Sequence, residues 1–504
     1  MLPIEHFQRT VQSTPDAIAI IDGTGSMTYQ TLSDKTNALA QALQSIDPAP
    51  QSRVAICAYN TFEHLLAWLA VFAAGKTWVP LNPRNGNEEL RRIVEVTSPS
   101  IIISDGDCLS RVPDTNARVI LGKPDGNPNT GLTTFDQLIS EFEGQAPIHH
   151  NLGPDDIQAL KFTGGSSGTP KGCVQTYRVW NTCITSMINA FEFDQKDRNL
   201  LAAPMTHGTN TLIMPTFSVG GSQAFMGAPK PAAIIKAIET LKPTSCFLPP
   251  TVIYMMLAEN GIEDRDFSSL RHLIVGGAAI RSSEIPRAMR IFNNAVETCF
   301  GQTEAPQIAI CMRAADWMDP RNHASTGKAT PLTEVGIKDP DGNLLGPDES
   351  GEIVLRGDLV MQGYLDMPGM TAETIKDGWL HTGDIGTIDE RGFVFIKDRI
   401  RDVIISGGFN VYPSDVEAVL GTHPDVKECV VFGGPDDKWG EAVLAAVELH
   451  DDRTEDEGAI ISYIKERLDS VKAPKRVYFT DALPRSPVGK VLRREAKVQF
   501  GDNT

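Results

Sequence analysis

The sequence predicts an α/β protein: a large N-terminal domain of layered α/β subdomains with a small β-barrel-like portion, then a small α+β C-terminal domain. Three observations predict it. Helical and strand patterns alternate over most of the length. The texture changes to short β-rich runs from about residue 326. A charged run, Lys397-Asp-Arg-Ile-Arg-Asp402, then separates those runs from a fresh α/β segment. A chain of 504 residues has length for more than one domain.

The elements follow in order. Residues 28–43 carry Leu32, Leu39 and Leu43 at helical spacing, and Arg53-Val-Ala-Ile-Cys57 reads as a short apolar strand. The apolar stretch 65–74 is too short to span a membrane, which takes about 18 or more such residues, and reads as a buried helix. Trp78-Val-Pro-Leu81 is the next strand. From 326 to 395, short runs at 334–338, 352–356 and 393–396 are separated by turns such as Asp341-Gly342 and Gly346-Pro347. The boundary is expected at the charged run, giving domains 1–398 and 399–504.

Composition narrows the function. Hydrophobic residues make up 41% and charged residues 22%, as in an ordinary globular protein. The formal net charge of −18 gives no global attraction for nucleic acid or anionic membrane, so an anionic ligand would need local devices. The eight cysteines show no C-x-x-C spacing, which argues against a zinc or redox motif and for a reducing, cytoplasmic setting. The first residues lack the pattern of a signal peptide.

The sharpest local feature is Lys161-Phe-Thr-Gly-Gly-Ser-Ser-Gly-Thr-Pro-Lys-Gly172. Its Gly164-Gly-Ser-Ser-Gly168 formally matches the G-x-S-x-G nucleophile elbow, with Ser166 as a hydrolase serine. That elbow demands a helix directly afterwards, which Pro170 and Gly172 disfavour. It is not a Walker A loop, because Lys171 stands between Pro170 and Gly172. Glycines, hydroxyls and a terminal lysine suit the wrapping of phosphates.

The run from Thr163 to Gly172 resembles the phosphate loop of the adenylate-forming superfamily, the acyl-CoA synthetases, luciferases and peptide-synthetase adenylation domains. That loop usually reads T-S-G-T-T-G-x-P-K-G. Gly164 here replaces the first serine and Ser166-Ser167 replace the threonines, one hydroxyl fewer. The resemblance extends over nearly the whole chain. Its other blocks are Trp78-Val-Pro-Leu-Asn82, Pro204-Met-Thr-His-Gly208, Phe247-Leu-Pro-Pro250 with Tyr254, and the glycine-rich strand ending Gly276-Gly-Ala-Ala279. Then come Phe300-Gly-Gln-Thr-Glu304, with Phe for the usual Tyr, Thr382-Gly-Asp384, Asp398-Arg399 with Arg401-Asp402, Ser406-Gly-Gly-Phe-Asn-Val-Tyr-Pro413 and Pro484-Arg-Ser-Pro-Val-Gly-Lys490. Any one block is weak; the ordered set is specific.

The resemblance implies an ATP-dependent acid–CoA ligase. A carboxylate attacks the α-phosphorus of ATP, giving an acyl-adenylate and pyrophosphate, and the thiol of coenzyme A then displaces AMP. No covalent enzyme nucleophile is needed, so catalysis is positioning and stabilisation of phosphate charge. By resemblance, Lys490, Thr303, Glu304 and His207 are catalytic, and Glu304 is the ligand of Mg²⁺. Thr163, Gly165, Ser166, Ser167, Gly168, Lys171, Gly277, Ala278, Phe300, Gly301, Asp384 and Arg399 hold ATP or AMP, Asp384 through the ribose hydroxyls. Ser406, Gly407 and Gly408 pass the pantetheine arm of CoA. Arg401 is the hinge about which a mobile C-terminal domain turns. A small carboxylic acid is the expected partner, without nucleic acid or a membrane span, and a homodimer is left open.

Within the superfamily, amino-acid adenylation domains carry an acidic residue around 205–211, where this chain reads Met-Thr-His-Gly-Thr-Asn-Thr. With no carrier domain after Lys490, free CoA is the expected acceptor. The small residues Gly276-Gly-Ala-Ala279 leave room for an aromatic or medium aliphatic acyl chain. A luciferase-like or carrier-protein acyl-AMP ligase, a hydrolase using Ser166, and a non-catalytic relative are the alternatives.

Overall fold

The computed structural model describes residues 1–126, 130–163, 170–436, 438–451, 453–454, 456–485 and 491–501. Among these, three sheets organise the chain. In the first, Ile18–Ile21, Ser222–Ala224, Arg198–Leu200, Ser245–Leu248, His272–Val275 and Val296–Gln302 run parallel side by side. The middle strands read Ser-Cys-Phe-Leu and His-Leu-Ile-Val and are buried throughout, as parallel strands covered on both faces must be. Helices such as Pro231–Leu241 and Pro250–Leu257 cover them.

The β-rich stretch expected as a barrel-like portion continues this same sheet. Ala305–Met312, Gly327–Ala329, Phe393–Arg399, Trp379–Ile388, Gly351–Arg356 and Glu334–Lys338 add on as an antiparallel wing, and the ladder stays open at both ends among the described residues. The reversal is the tight turn between Val296–Gln302 and Ala305–Met312. Only glycine fits there at 301, because a Cβ would lie 2.6 Å from the Gln307 backbone.

The second sheet, of eight strands, includes Arg53–Cys57, Thr77–Leu81, Ile157–Thr163 and Lys171–Thr176. The apolar stretch 65–74 is the buried helix Phe62–Ala73, whose start is capped by the Thr61 side chain accepting from the His64 amide. Trp68, Phe72, Trp78 and Trp180 form one aromatic cluster between this helix, the sheet and helix Tyr177–Phe191.

The third sheet is small: Ile404–Ser406, Phe409–Val411, Val426–Asp436, Gly440–Leu449 and Arg476–Phe479, with helices Pro413–Leu420, Glu457–Arg467 and Arg493–Gly501. It is the α+β C-terminal domain. Next to the expected boundary after residue 398, Arg399 pairs with Asp384 across the antiparallel wing, and the new sheet opens at Ile404. Between them, at 400–403, lies a single 3₁₀ turn, Ile400–Asp402. Among the described residues no helix is long and apolar enough to cross a membrane, and the eight cysteines are free and buried.

Candidate active site

A cavity of about 930 Å³ lies where the first two sheets meet the antiparallel wing. Each wall comes from a different part of the chain, and each for a local reason. Strands Ile157–Thr163 and Lys171–Thr176 pair antiparallel, with Thr163 opposite Lys171, so the glycine-rich loop springs from a hairpin whose two base residues face the cavity. A strand, not a helix, follows the loop, which removes the geometry a nucleophile elbow requires of Ser166.

Thr303 and Glu304 occupy the reversal between Gln302 and Ala305. Buried Gln175 fixes this turn by donating to the Thr303 carbonyl at 2.8 Å while its own carbonyl accepts from Trp180 Nε1 at 3.1 Å. The Tyr364 hydroxyl donates to Glu304 Oε1 at 2.7 Å, and Lys171 Nζ sits 5.4 Å above the Tyr364 ring. Burial, then the neighbouring Glu304 charge, drive the Tyr364 pKa up and keep that hydroxyl a donor. Glu304 thus offers a carboxylate on the cavity wall with one oxygen tied down.

On the other wall, Asp384 and Arg399 stand opposite one another on paired strands. Arg399 Nε lies 3.0 Å from Asp384 Oδ1, and Gln302 Nε2 donates to Oδ2 at 2.8 Å. Deeper in, His207 Nδ1 lies 2.9 Å from the Thr206 hydroxyl. Its ring is open to the cavity, yet the surrounding protein, and secondarily the Lys161 charge, depress its pKa to about 4, leaving it neutral at pH 7. The mostly small or apolar residues Ala203, Phe247, Gly276, Cys299 and Gly208 complete this deeper part.

The family model described as AMP-binding enzyme matches residues 7–365, and that of the AMP-binding enzyme C-terminal domain matches 415–490. The chain belongs to the AMP-binding enzyme family. Among its curated relatives, a feruloyl-CoA synthase of Amycolatopsis sp is 33% identical over 98% of both chains. A medium/long-chain-fatty-acid–CoA ligase of Mycobacterium tuberculosis is 30% identical over 95% of this chain and 86% of its own. Among solved structures, ATP-bound MatB from Rhodopseudomonas palustris superposes with a TM-score of 0.90 at 27% identity, covering 100% of this chain and 99% of that one.

The residues expected to form the site converge unevenly. Thr163, Lys171, His207, Gly277, Gly301, Thr303, Glu304, Arg399 and Arg401 line this cavity. Ala278, which is exposed, and Phe300, which is half-buried, are not among the lining residues, and Asp384, expected to meet the ribose, is buried with its oxygens engaged by Arg399 and Gln302. Ser406, Gly407 and Gly408 lie apart from the cavity, at a hairpin tip in the C-terminal domain. There Gly407 and Gly408 have φ of +58° and +83°, and a Cβ on Gly407 would lie 2.6 Å from the Trp439 ring. Gly165, Ser166, Ser167, Gly168 and Lys490 lie outside the described residues.

Four residues of the site escaped the sequence reading: Gln175, Gln302, Tyr364 and Lys161. Lys161 carried a usable signal, a lysine inside an otherwise apolar strand just before the glycine-rich loop. Tyr364 carried none. It reaches the site from a two-residue strand, Gly363–Tyr364, paired to Lys171–Thr176 far away in sequence.

Proposed function

We propose that this protein is an AMP-forming acid–CoA ligase. In the first step a substrate carboxylate oxygen attacks the α-phosphorus of ATP, the bond to the β-phosphate oxygen breaks, and pyrophosphate leaves. In the second, the thiol of CoA attacks the acyl carbonyl and AMP departs. The observation that carries this reading is the cavity in which phosphate-type groups (Lys171, Thr303, Arg399) adjoin an apolar branch lined by Phe247, Gly276 and neutral His207. The named activities of the feruloyl-CoA and fatty-acid–CoA relatives support it.

Glu304 suits a hard divalent ion: it is a half-buried carboxylate on the cavity wall, its orientation fixed by Tyr364. Bound Mg²⁺ would neutralise charge on the triphosphate there. The chain's own residues do the rest. Lys171 supplies a fixed positive charge, and Gln175 holds the Thr303 turn so that its groups keep their place. Neutral His207 can donate one hydrogen bond to the bound acid without adding a charge of its own.

The pantetheine-type residues Gly407 and Gly408 sit away from the cavity, which supports a turn of the C-terminal domain about 400–403 between the two half-reactions. Pyrophosphate release from ATP–Mg²⁺ over a panel of carboxylic acids, with thioester formation measured on adding CoA, tests the reading. Pyrophosphate without thioester would move the acceptor away from CoA, and neither product from any acid would overturn the proposal.

A further inference from the structure

Among the described residues, Lys161 is the one cation sunk into the acyl side of the cavity. Only 8% of the residue is exposed, and its ammonium lies 5.3 Å from the ring centres of both Trp78 and Trp180. Its hydrogen-bond partner among the described residues is a neutral one, Asn210 Oδ1 at 3.0 Å, from the start of helix Asn210–Ser218. An ammonium has three N–H donors, so at least two have no partner among those residues. Nor does any carboxylate among them pair with it, and the ionisable groups nearest in effect are the thiols of Cys183 and Cys173 and the ring of His207. A buried cation without a counter-ion is costly, and a structural role would be served better by an apolar residue between two tryptophans. Yet Lys161 lines the cavity.

Position decides which end of a ligand it meets. Thr163 and Lys171, at the base of the glycine-rich loop, face the phosphate side. Lys161 is two residues back along the same strand, one pleat repeat or about 7 Å deeper. The reacting carboxylate lies at the phosphate side, so what reaches Lys161 is the far part of the acid.

We propose that Lys161 is a specificity-determining residue that binds a second anionic group, a carboxylate being the simplest, on the far end of the acid this enzyme activates. The substrate class is then an acid with two anionic ends, and the ligand itself supplies the counter-ion that the fold leaves out. The inference rests on the ligase reading above and narrows it.

The test uses the whole enzyme and two matched series, the straight-chain monocarboxylates and the α,ω-dicarboxylates of four to eight carbons. Pyrophosphate release gives kcat/KM, and calorimetry gives direct binding of the same acids. The best diacid should exceed the best monoacid by at least about tenfold in the wild type. Lys161→Met, close in shape and uncharged, should reverse that order, chiefly through KM for the diacid, while monoacid activation persists or improves. Equal effects on both series, or a wild type that prefers monoacids, overturns the proposal; that comparison in the wild type decides even if the variant fails to fold. If no acid is turned over but diacid binding is present and depends on Lys161, the ligase reading fails and only the binding of a diacid by Lys161 stands. If no acid binds or turns over, both fail.

Discussion

Replacing Lys161 by methionine should stabilise the empty enzyme, and by an amount that depends on pH. Burial drives the pKa of Lys161 down from 10.5 to about 8. In the unfolded chain the amine keeps its proton up to about 10.5, while in the folded chain it gives the proton up near 8. Across that window the unfolded state binds more protons, so the folded wild type gains stability as pH rises. At pH 7 the shift corresponds to about 3 kcal/mol of unfavourable charge burial, and at pH 9.5 to about 1.4 kcal/mol. A methionine side chain has no such dependence. The advantage of Lys161→Met should therefore shrink by about 2 kcal/mol between pH 7 and pH 9.5. Urea unfolding followed by tryptophan fluorescence reads this directly, because Trp78 and Trp180 flank the site. A difference between the two proteins that is the same at both pH values would refute the reasoning, since it would mean that folding leaves the pKa of Lys161 where the unfolded chain has it and that burial does not penalise its charge.

Three further outcomes follow from the geometry. Glu304→Gln should lower acyl-AMP formation by about 100-fold or more, and Tyr364→Phe, which removes the hydroxyl and with it the 2.7 Å hydrogen bond to that carboxylate, by about 10- to 100-fold in single-turnover assays. Lys490→Ala should abolish acyl-AMP formation yet still convert supplied acyl-AMP and CoA into thioester, while Gly408→Val should do the reverse; equal loss of both half-reactions in both variants would remove the two-face mechanism. His64, 1% exposed and held neutral by burial with a folded pKa of about 4, should take up its proton only on unfolding between pH 6.5 and 4. Stability should then fall by about 2 kcal/mol from pH 7 to pH 5 in the wild type and not in His64→Gln, as urea midpoints at the two pH values will show.

What could be read from the sequence divides by range. Strand Arg53–Cys57, helix Phe62–Ala73 and the runs of the antiparallel wing were legible because local periodicity and turn chemistry specify them. Thr303, Glu304 and Lys171 were legible because short motifs carry them. The joining of the wing to the parallel sheet was not, since it depends on the turn at Gly301 and on pairings such as Gly327 with Val394. Nor was the state of Asp384. Its motif names a free acceptor, but its cross-strand neighbour Arg399 and Gln302 already engage it, which only register reveals. Lys161 was visible as a residue; what makes it notable, two indole rings and no carboxylate among the described residues, comes from three separate elements.

The junction at 400–403 is bridged by one arginine. Arg493, from the last helix, is held on the small domain's side by both oxygens of Glu417, and reaches across to Asp398 at 3.2 Å and to Asp402 at 2.9 Å. Asp398, on the last strand of the first sheet, also accepts from the Ser414 amide of the small domain at 2.8 Å. Arg493 and Ser414 would travel with the turning domain while Asp398 stays behind. The latch therefore works as a detent: leaving the present setting breaks at least two hydrogen bonds to a carboxylate that is now 7% exposed, a cost of about 1.5–3 kcal/mol for each charged hydrogen bond before any compensation. The second setting must either wet Asp398 or bring it new donors. If the small domain turns as proposed, these bonds would set a barrier to leaving the present orientation, so it should move between discrete orientations on ligand exchange and not drift through a continuum.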